Sequence, residues 1–315
     1  MNVLNALAVR QALPWPGLIE AIETLFAQGA TVPQRQVLSI EDTSRPDGAK
    51  ALGALLLMPA WIGGDSIGVK AVTFFPGNRE LGLSTISAAY LLFDGRTGAI
   101  KAACDGDEIT VRRTAATSAA AAKRLARMDA KRLLVVGTGQ LAPNMALAHA
   151  CVRSYDIIEI YGRDPQKAAA VVRQLGDEGL RATVAGDLAT SAARADVICS
   201  VTSATSPVIL GEWLKPGTHV DLVGGFKDDM READDACVSN ASIFVDARAG
   251  ALLAGDLAQP IRAGIISETA IRADLRELVT GVHRGRSKDT EITLFKSVGN
   301  ALEDLAAGKM IGATI

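Results

Sequence analysis

The sequence lacks an excess of charge of either sign, with 33 Lys and Arg residues against 35 Asp and Glu and a formal net charge of −2 over 315 residues. A nearly neutral chain produces no strong field toward phosphate backbones, so we expect no nucleic-acid partner. The sequence also lacks an uncharged apolar run of the roughly 18 residues that a membrane helix needs, and its N-terminus lacks a signal-peptide pattern. These absences predict a soluble, cytoplasmic protein without a membrane partner.

Patterns that bind metals are also missing. The four cysteines are far apart and form no C-x-x-C pair, which argues against a zinc site or a redox dithiol. The histidines show no metal-ligand spacing, so we predict no metal, and no G-x-S-x-G motif indicates a hydrolase. The residues concerned are Cys104, Cys151, Cys199, Cys237, His149, His219 and His283.

Aromatic residues are scarce at 4%, whereas 49% of the residues are hydrophobic and many of these are alanine. This composition describes a globular protein, and 315 residues suffice for two domains with substantial cores. The first 118 residues combine a helix at about 15–28 with extended segments between Gly and Pro residues, which indicates an α+β domain. A second helix is predicted at about 110–128, and a third over 290–308 closes the chain.

From about residue 131, short β-branched runs alternate with alanine-rich helical runs. Strands separated by helices are joined by right-handed crossovers into a parallel sheet, and the apolar content of these runs fits burial on both faces. The runs are RLLVVGTG, IIEIYGRD, RATVAGD, DVICSVT, HVDLVGG and SIFVDAR. We predict a Rossmann-type, doubly wound α/β domain over 119–290, while 1–118 and 291–315 form one discontinuous α+β domain.

The stretch VVGTGQLA carries a G-x-G-x-x-A turn between a predicted strand and a predicted helix. Gly137 permits the tight turn, Gly139 lets the backbone approach a pyrophosphate, and Ala142 takes the third small position. The alternative is a glycine turn without a ligand, but the strand and helix context favours a dinucleotide. The candidate cofactor contacts are Gly137, Thr138, Gly139, Gln140 and Leu141.

The end of the next strand, IEIYGRDP, indicates which dinucleotide binds. An NAD site usually carries an acid here for the ribose hydroxyl, whereas this chain has Gly162 followed by Arg163. A guanidinium pairs with a 2′-phosphate, so Arg163 favours NADPH. Asp164 keeps NADH open as the alternative, and Arg163 as a plain solvated arginine is a third interpretation.

Three cations lie on otherwise apolar stretches of the first half: Arg35, Lys70 and Arg113. Arginine holds a carboxylate through paired hydrogen bonds, and lysine supplies a point charge or a proton. Taken singly, each could be a surface charge or part of a structural ion pair. Beside a cofactor domain, the set predicts a small carboxylate substrate.

Long stretches of the chain resemble the ornithine cyclodeaminase and mu-crystallin family. They are VKAVTFFPGN (69–78), STISAAYLLFDGRTGAIKA (84–102), TVRRTAATSAAAAKRLA (110–126), VVGTGQLA (135–142) and EITLFKSVGNALEDLAA (291–307). The resemblance implies a substrate-binding and dimerisation domain beside a dinucleotide domain, a homodimer, and chemistry on amino or imino acids. It also implies that Arg35, Lys70 and Arg113 bind the substrate carboxylate. It further places Thr85 near that pocket, Thr202 and Ser203 beside the cofactor, and Val298 and Gly299 beside the nicotinamide.

The chain departs from the cyclodeaminase pattern at LVGGFKDDMRE (222–232), where Phe226 replaces the aspartate that handles the δ-amino group. A phenyl ring neither accepts a proton nor anchors an ammonium, which argues against cyclodeamination. With Phe226 and the following Asp-Met-Arg-Glu, the turn resembles the branch of ketimine and Δ1-pyrroline-2-carboxylate reductases, which implies a reductase of cyclic imines with Phe226 as an apolar wall against the substrate ring. Core packing of Phe226 is the alternative, and Asp228 or Asp229 could substitute for the missing acid in a shifted loop.

The predicted reaction is NAD(P)H-dependent reduction of Δ1-pyrroline-2-carboxylate, or Δ1-piperideine-2-carboxylate, to L-proline or L-pipecolate. Arg35 and Arg113 would hold the carboxylate, and Lys70 would supply or relay the proton. An ornithine cyclodeaminase or an alanine or opine-type amino acid dehydrogenase is the alternative on the same fold. A crystallin-like protein that binds NADPH and a small ligand without turnover is a further alternative.

Overall fold

The computed structural model describes residues 1–42 and 51–315. The strands are β1 (Asn2–Leu4), β2 (Gln36–Glu41), β3 (Ala51–Ile62), β4 (Ser66–Phe74), β5 (Ile86–Asp94), β6 (Ile100–Asp105), β7 (Arg132–Val136), β8 (Ile157–Tyr161), β9 (Thr183–Val184), β10 (Val197–Ser200), β11 (His219–Leu222), β12 (Ser242–Val245), β13 (Ile271–Asp274) and β14 (Thr293–Lys296). The helices are α1 (Ala6–Ala12), α2 (Trp15–Gln28), α3 (Gly106–Leu125), α4 (Leu141–Val152), α5 (Pro165–Asp177), α6 (Leu188–Arg194), α7 (Asp235–Ser239), α8 (Arg248–Ala251), α9 (Gly255–Arg262), α10 (Leu275–Val279) and α11 (Ala301–Gly312).

The chain divides into two compact units, one formed by Met1–Arg113 with Asn300–Ile315 and the other by Thr114–Gly299. The sheet of the first unit has the order β1-β6-β5-β4-β3-β2, antiparallel except for the pair β1 and β6. Side chains alternate between its faces, and α11 packs on the face that buries Ser66, Gly68 and Lys70. This unit is therefore α+β, as the sequence predicts.

Close approach of α11 to the first sheet depends on two glycines around Tyr90. A Cβ atom added at Gly68 on β4 would overlap the Tyr90 hydroxyl, and one added at Gly308 on α11 would lie 2.5 Å from it. Asp304 is one helical turn before Gly308 and therefore shares its face of α11. The small residue at Gly308 brings that face, with its carboxylate, down onto β4.

The sheet of the second unit is parallel, with the order β13-β12-β14-β11-β10-β7-β8-β9. The chain leaves β7 toward β8 and then returns to β10 on the other side, which is the strand order of a doubly wound, Rossmann-type fold. The six runs predicted as strands all form strands of this sheet, so this part of the prediction is confirmed. The central strands are rich in apolar residues because both of their faces are buried, although β11 and β14 also bury polar side chains.

The predicted helix over 290–308 is wrong in its first half. Thr293–Lys296 is a strand between β11 and β12, with all four residues buried, and α11 begins only after Asn300, whose side chain caps it. Gly299 at φ 76° separates the two elements. Residues 291–299 therefore lie in the second unit, and so do residues 114–118.

Across residues 1–42 and 51–315, no helix is long and apolar enough to span a membrane.

Candidate active site

Lys70 on β4 lies at the centre of a buried ion cluster in the first unit. Its Nζ donates to Asp304 Oδ1 at 2.8 Å and to Thr110 Oγ1 at 3.3 Å. Arg113 on α3 donates from Nη1 to Glu303 Oε2 at 2.5 Å, and its Nε lies 2.9 Å from Asp304 Oδ1. The two cations and two carboxylates are each at least 95% buried, so the cluster is assembled away from bulk water.

The electrostatics of this cluster suit a residue that exchanges protons near neutral pH. Burial, followed by repulsion from Arg113, lowers the pKa of Lys70 to about 8, although Asp304 acts in the opposite direction. Two buried oxygens, Asp304 Oδ2 and Tyr90 Oη, have no hydrogen-bond partner within the described residues. Tyr90 is the cross-strand neighbour of Lys70. Because unsatisfied buried oxygens cost free energy, the cluster fits a site that receives a polar ligand.

Sequence reasoning missed Glu303 and Asp304. A signal was present, since two adjacent acids interrupt the alanine-rich helix ALEDLAAG, and both side chains are fully buried there. Buried cations on apolar stretches require acidic partners, so Lys70 and Arg113 already implied such carboxylates.

Arg35 and Thr85 lie at different distances from Lys70. Arg35 comes one residue before β2, and extending the register of β2 and β3 places it opposite Met58, which pairs with Lys70. Two strand spacings, about 10 Å, separate such positions. Thr85 instead pairs with Phe75 beyond the end of β5, five residues or about 16 Å along the strands from Tyr90. Arg35 therefore precedes β2 close to the row of Lys70, and Thr85 lies at the far end of the strands of the same sheet.

The glycine turn of the second unit follows β7 and leads directly into α4. Gly137 has φ 131°, and an added Cβ would lie 2.8 Å from the Val201 carbonyl oxygen, so the fold itself requires glycine there. Gly139 is different, because nothing lies within 4 Å of an added Cβ. Gln140 precedes α4 without capping it through its side chain. Thr138 and Leu141 complete a turn whose open glycine and uncapped helix N-terminus fit a pyrophosphate.

After β8, Gly162 occupies the position at which an NAD site usually carries an acid. A Cβ atom added at Gly162 would overlap the Thr138 methyl group, so a larger residue there would require Thr138 to move. Arg163 is exposed, whereas Asp164 Oδ1 accepts hydrogen bonds from the backbone N–H groups of Gln166 and Lys167 at the start of α5. Asp164 thus has a structural role as a helix cap. The arginine side chain is available for a 2′-phosphate.

The remaining predicted cofactor contacts lie on loops held by buried carboxylates that the sequence did not reveal. Asp246 Oδ2 accepts from the backbone N–H groups of Val298 at 2.8 Å and Gly299 at 2.6 Å. Thr202, after β10, donates to Glu232 from both its backbone N–H and its hydroxyl, while Ser203 beside it is exposed. Acids near strand ends were the available signal, but only the fold shows which loops they hold.

Phe226 is 38% exposed in the turn after β11, so core packing is the wrong interpretation of this residue. Asp228 forms a bidentate ion pair with Arg262, at 2.6 and 3.1 Å. This pairing occupies Asp228 on the protein surface and argues against it as a substitute for the cyclodeaminase acid. Asp229 is exposed as well.

Three residues without metal-ligand spacing in the sequence meet inside the second unit. His149 Nε2 on α4 lies 3.3 Å from both Asp221 Oδ2 and Cys199 Sγ, and Cys199 pairs with Asp221 on neighbouring strands. Burial and the neighbouring Asp221 raise the pKa of the Cys199 thiol well above its usual range. The sulfur is therefore protonated at neutral pH when no ion is bound.

Comparison with known proteins identifies the family and relates the fold to solved structures. The sequence profile of the ornithine cyclodeaminase/mu-crystallin family matches residues 2–315. The chain is 38% identical to the Δ1-pyrroline-2-carboxylate reductase of Paracoccus denitrificans, over 95% of this chain and 92% of that protein. The solved Δ1-pyrroline-2-carboxylate reductase of Thermococcus litoralis, in complex with NADH and L-proline, is 32% identical, covers 99% of this chain and 97% of its own, and superposes with a TM-score of 0.90. An archaeal alanine dehydrogenase dimer with bound NAD is 28% identical over 99% and 95% of the two chains, with a TM-score of 0.89.

Proposed function

Because the chain belongs to the ornithine cyclodeaminase/mu-crystallin family, we propose that it is an NAD(P)H-dependent reductase that converts Δ1-pyrroline-2-carboxylate to L-proline. The observation that carries the proposal is Lys70, a buried amine that donates to Asp304 at 2.8 Å beside Arg113 and whose pKa is lowered to about 8. Imine reduction adds a hydride to carbon and a proton to nitrogen, and an acid that titrates near neutral pH suits the second step. Δ1-piperideine-2-carboxylate, with one more ring carbon, is a second substrate of the same class.

The cofactor supplies the hydride when it is bound. For its pyrophosphate, the turn from Gly137 to Leu141 offers an open glycine and the N-terminus of α4. Arg163 pairs with the 2′-phosphate of NADPH in our proposal, and NADH remains an alternative because it is the cofactor held by the Thermococcus reductase.

Within the first unit, the three cations have different roles in our proposal. Arg35 has no acidic partner within the described residues, so its charge is available to the substrate carboxylate. Arg113 supplies the second cation for that carboxylate and, through its charge, keeps the pKa of Lys70 low. Lys70 then gives its proton to the imine nitrogen and recovers one from solvent.

Phe226 favours a reductase over a cyclodeaminase. Its exposed ring in the turn after β11 offers an apolar surface to the methylene groups of a cyclic imine. An ornithine δ-ammonium would find no carboxylate at this position, and Asp228 is already paired with Arg262. The chain therefore rejects a free side-chain amine by leaving its charge unpaired.

We propose further that the protein is a homodimer, as the alanine dehydrogenase relative is. The face of the first sheet opposite Lys70 is apolar, and none of its large side chains is fully buried: Trp61, Ile67, Val69, Leu91 and Phe93. Apolar faces of this kind mark sites of association. Light scattering is expected to give a molar mass twice the 32.8 kDa of one chain, and Leu91→Glu is expected to halve it. A 32.8 kDa species at micromolar concentration would contradict the proposal.

The proposed reaction is tested by following NADPH and NADH absorbance after mixing the protein with Δ1-pyrroline-2-carboxylate. We expect oxidation of the cofactor with formation of L-proline, and a higher kcat/KM with NADPH than with NADH. Pyruvate with ammonia, and ornithine with NAD, serve as parallel substrates. Faster turnover of pyruvate would identify an alanine dehydrogenase, and release of ammonia from ornithine would identify a cyclodeaminase. Tight NADPH binding with no turnover would favour the crystallin-like alternative.

A further inference from the structure

Glu232 is a fully buried carboxylate that connects the loops after two neighbouring strands. Its Oε1 accepts hydrogen bonds from the Ser200 hydroxyl at 2.7 Å and from the backbone N–H and hydroxyl of Thr202 at 2.7 and 2.9 Å. Its Oε2 accepts from the backbone N–H groups of Gly224 at 2.7 Å and Gly225 at 3.2 Å. One side chain therefore satisfies five donors, drawn from the ends of β10 and β11.

The backbone of Glu232 is held in turn by a buried ion pair between Asp256 and Lys296. Its backbone N–H donates to Asp256 Oδ1 at 2.6 Å, and Lys296 Nζ on β14 donates to Asp256 Oδ2 at 2.9 Å. Asp256 and Lys296 are both fully buried. Burial raises the pKa of Glu232, and Asp256 acts in the same direction, whereas Lys296 lowers it. Five donors directed at the two oxygens are the arrangement that stabilises the ionised form.

The loops that Glu232 connects border the glycine turn. Val201 donates to the Val136 carbonyl and its own carbonyl lies against Gly137, so the loop after β10 touches the turn after β7. β7 and β10 are the neighbouring strands at which the chain reverses its direction across the sheet, which is where doubly wound folds bind dinucleotides. Gly224 lies directly against Thr202, and a Cβ atom there would overlap the Thr202 backbone. The loop at Thr202 and the turn at Gly224 are therefore in direct contact beside the glycine turn.

We propose that Glu232 is a positioning residue for the dinucleotide: its carboxylate locks the Thr202 loop and the turn at Gly224 and Gly225 together, so that the cofactor meets a preformed wall. The inference rests on the proposed function, because it assumes that a dinucleotide binds at this edge of the sheet. It makes Glu232 act through the loops and not by contact with the cofactor.

The direct test is Glu232→Gln, which keeps the shape of the side chain but turns an amide N–H toward backbone N–H donors. The matched control is Asp196→Asn. Asp196 is also a buried carboxylate, and it accepts hydrogen bonds from the backbone N–H groups of Lys131 at 2.8 Å and Arg132 at 3.0 Å. It precedes β10, however, and so lies at the opposite end of the parallel strands from Glu232. Dissociation constants of NADPH and NADH are measured by fluorescence titration without substrate, beside the melting temperature and the split between KM and kcat.

We expect Glu232→Gln to weaken cofactor binding by about tenfold or more, the loss that corresponds to about one unsatisfied buried hydrogen bond. In Glu232→Gln, the KM for the cofactor should rise by a larger factor than kcat falls. The cofactor dissociation constant of Asp196→Asn should stay within about twofold of the wild-type value, even if its melting temperature falls as far as that of Glu232→Gln. Ser200→Ala removes one of the five donors and provides a milder variant, expected to weaken binding about threefold, should Glu232→Gln fail to fold.

Unchanged cofactor affinity in folded Glu232→Gln, or in Ser200→Ala where the first does not fold, would overturn the inference. Equal weakening in Asp196→Asn would overturn it too, because the effect would then reflect general stability. Failure of the wild-type protein to bind either dinucleotide would overturn the proposed function itself, which this titration distinguishes from failure of the inference alone.

Discussion

Replacing Lys70 by methionine is expected to lower kcat/KM for imine reduction by about a hundredfold or more, the usual contribution of a positioned general acid. Methionine keeps most of the side-chain volume on β4, so the loss reflects the missing ammonium and not a cavity. Asp304 then retains Arg113 as its cationic partner at 2.9 Å. Steady-state rates at saturating NADPH and at varied Δ1-pyrroline-2-carboxylate give the measurement.

Lys101→Met is the matched control for this variant, since Lys101 is an exposed lysine on β6 of the same sheet. It should leave kcat/KM within about twofold, as surface substitutions of this kind have small effects. Retention of more than a third of the activity by Lys70→Met would show that the imine arrives already protonated. Lys70 would then only help to position the substrate.

Much of the second unit could be predicted from the sequence because its signals are local. A strand buried on both faces is apolar throughout, and a glycine turn before a helix is a contiguous motif. Gly137 is required by the fold, as its contact with Val201 demonstrates. Such features do not depend on which distant segments meet.

The parts that could not be predicted depend on distant contacts. Thr293–Lys296 is adjacent to a helix in sequence, and all four of its residues are buried. Periodicity alone cannot separate so short a run from a buried helical turn. Its strand state is decided by its place between β11 and β12. The partners of Lys70 likewise come from α11, more than 200 residues later, and the donors of Glu232 come from two other strands.

The sequence therefore predicted the cations of the site but not the carboxylates that pair with them. The sequence shows cations on apolar stretches and indicates an anionic substrate, but it does not show that carboxylates of α11 already pair with two of them. With Lys70 and Arg113 paired to Asp304 and Glu303, the cluster carries no net charge. In the proposed reaction, attraction of the substrate carboxylate would therefore depend more heavily on Arg35, which the sequence could not rank above the other two.

The pKa of Lys70 fixes the expected pH dependence of the reaction. In the proposed reaction, reduction requires the ammonium form of Lys70, which is present below its pKa of about 8 and is lost as the pH rises through that value. The kcat/KM for reduction is therefore expected to fall as the pH rises through about 8. The kcat/KM for oxidation of L-proline, which needs Lys70 as a neutral amine, should rise over the same interval.

Asp304→Asn is expected to move this limb to lower pH. Asp304 raises the pKa of Lys70 by its charge and its hydrogen bond, and its removal leaves burial and Arg113, both of which lower that pKa. The variant should also lose about 3 kcal/mol of unfolding free energy, since it leaves buried cations with one carboxylate fewer. Rate–pH profiles and urea unfolding measure the two effects separately.

Asp65→Asn is the appropriate comparison, because Asp65 lies in the same unit but pairs with Lys309 at the surface. Its limb should coincide with that of the wild type. A limb that stays in place in Asp304→Asn would mean that another group limits reduction at high pH. A shift that follows the charge of Asp304, together with an unchanged limb in Asp65→Asn, assigns the titration to Lys70, because Asp304 acts on no other amine in this cluster.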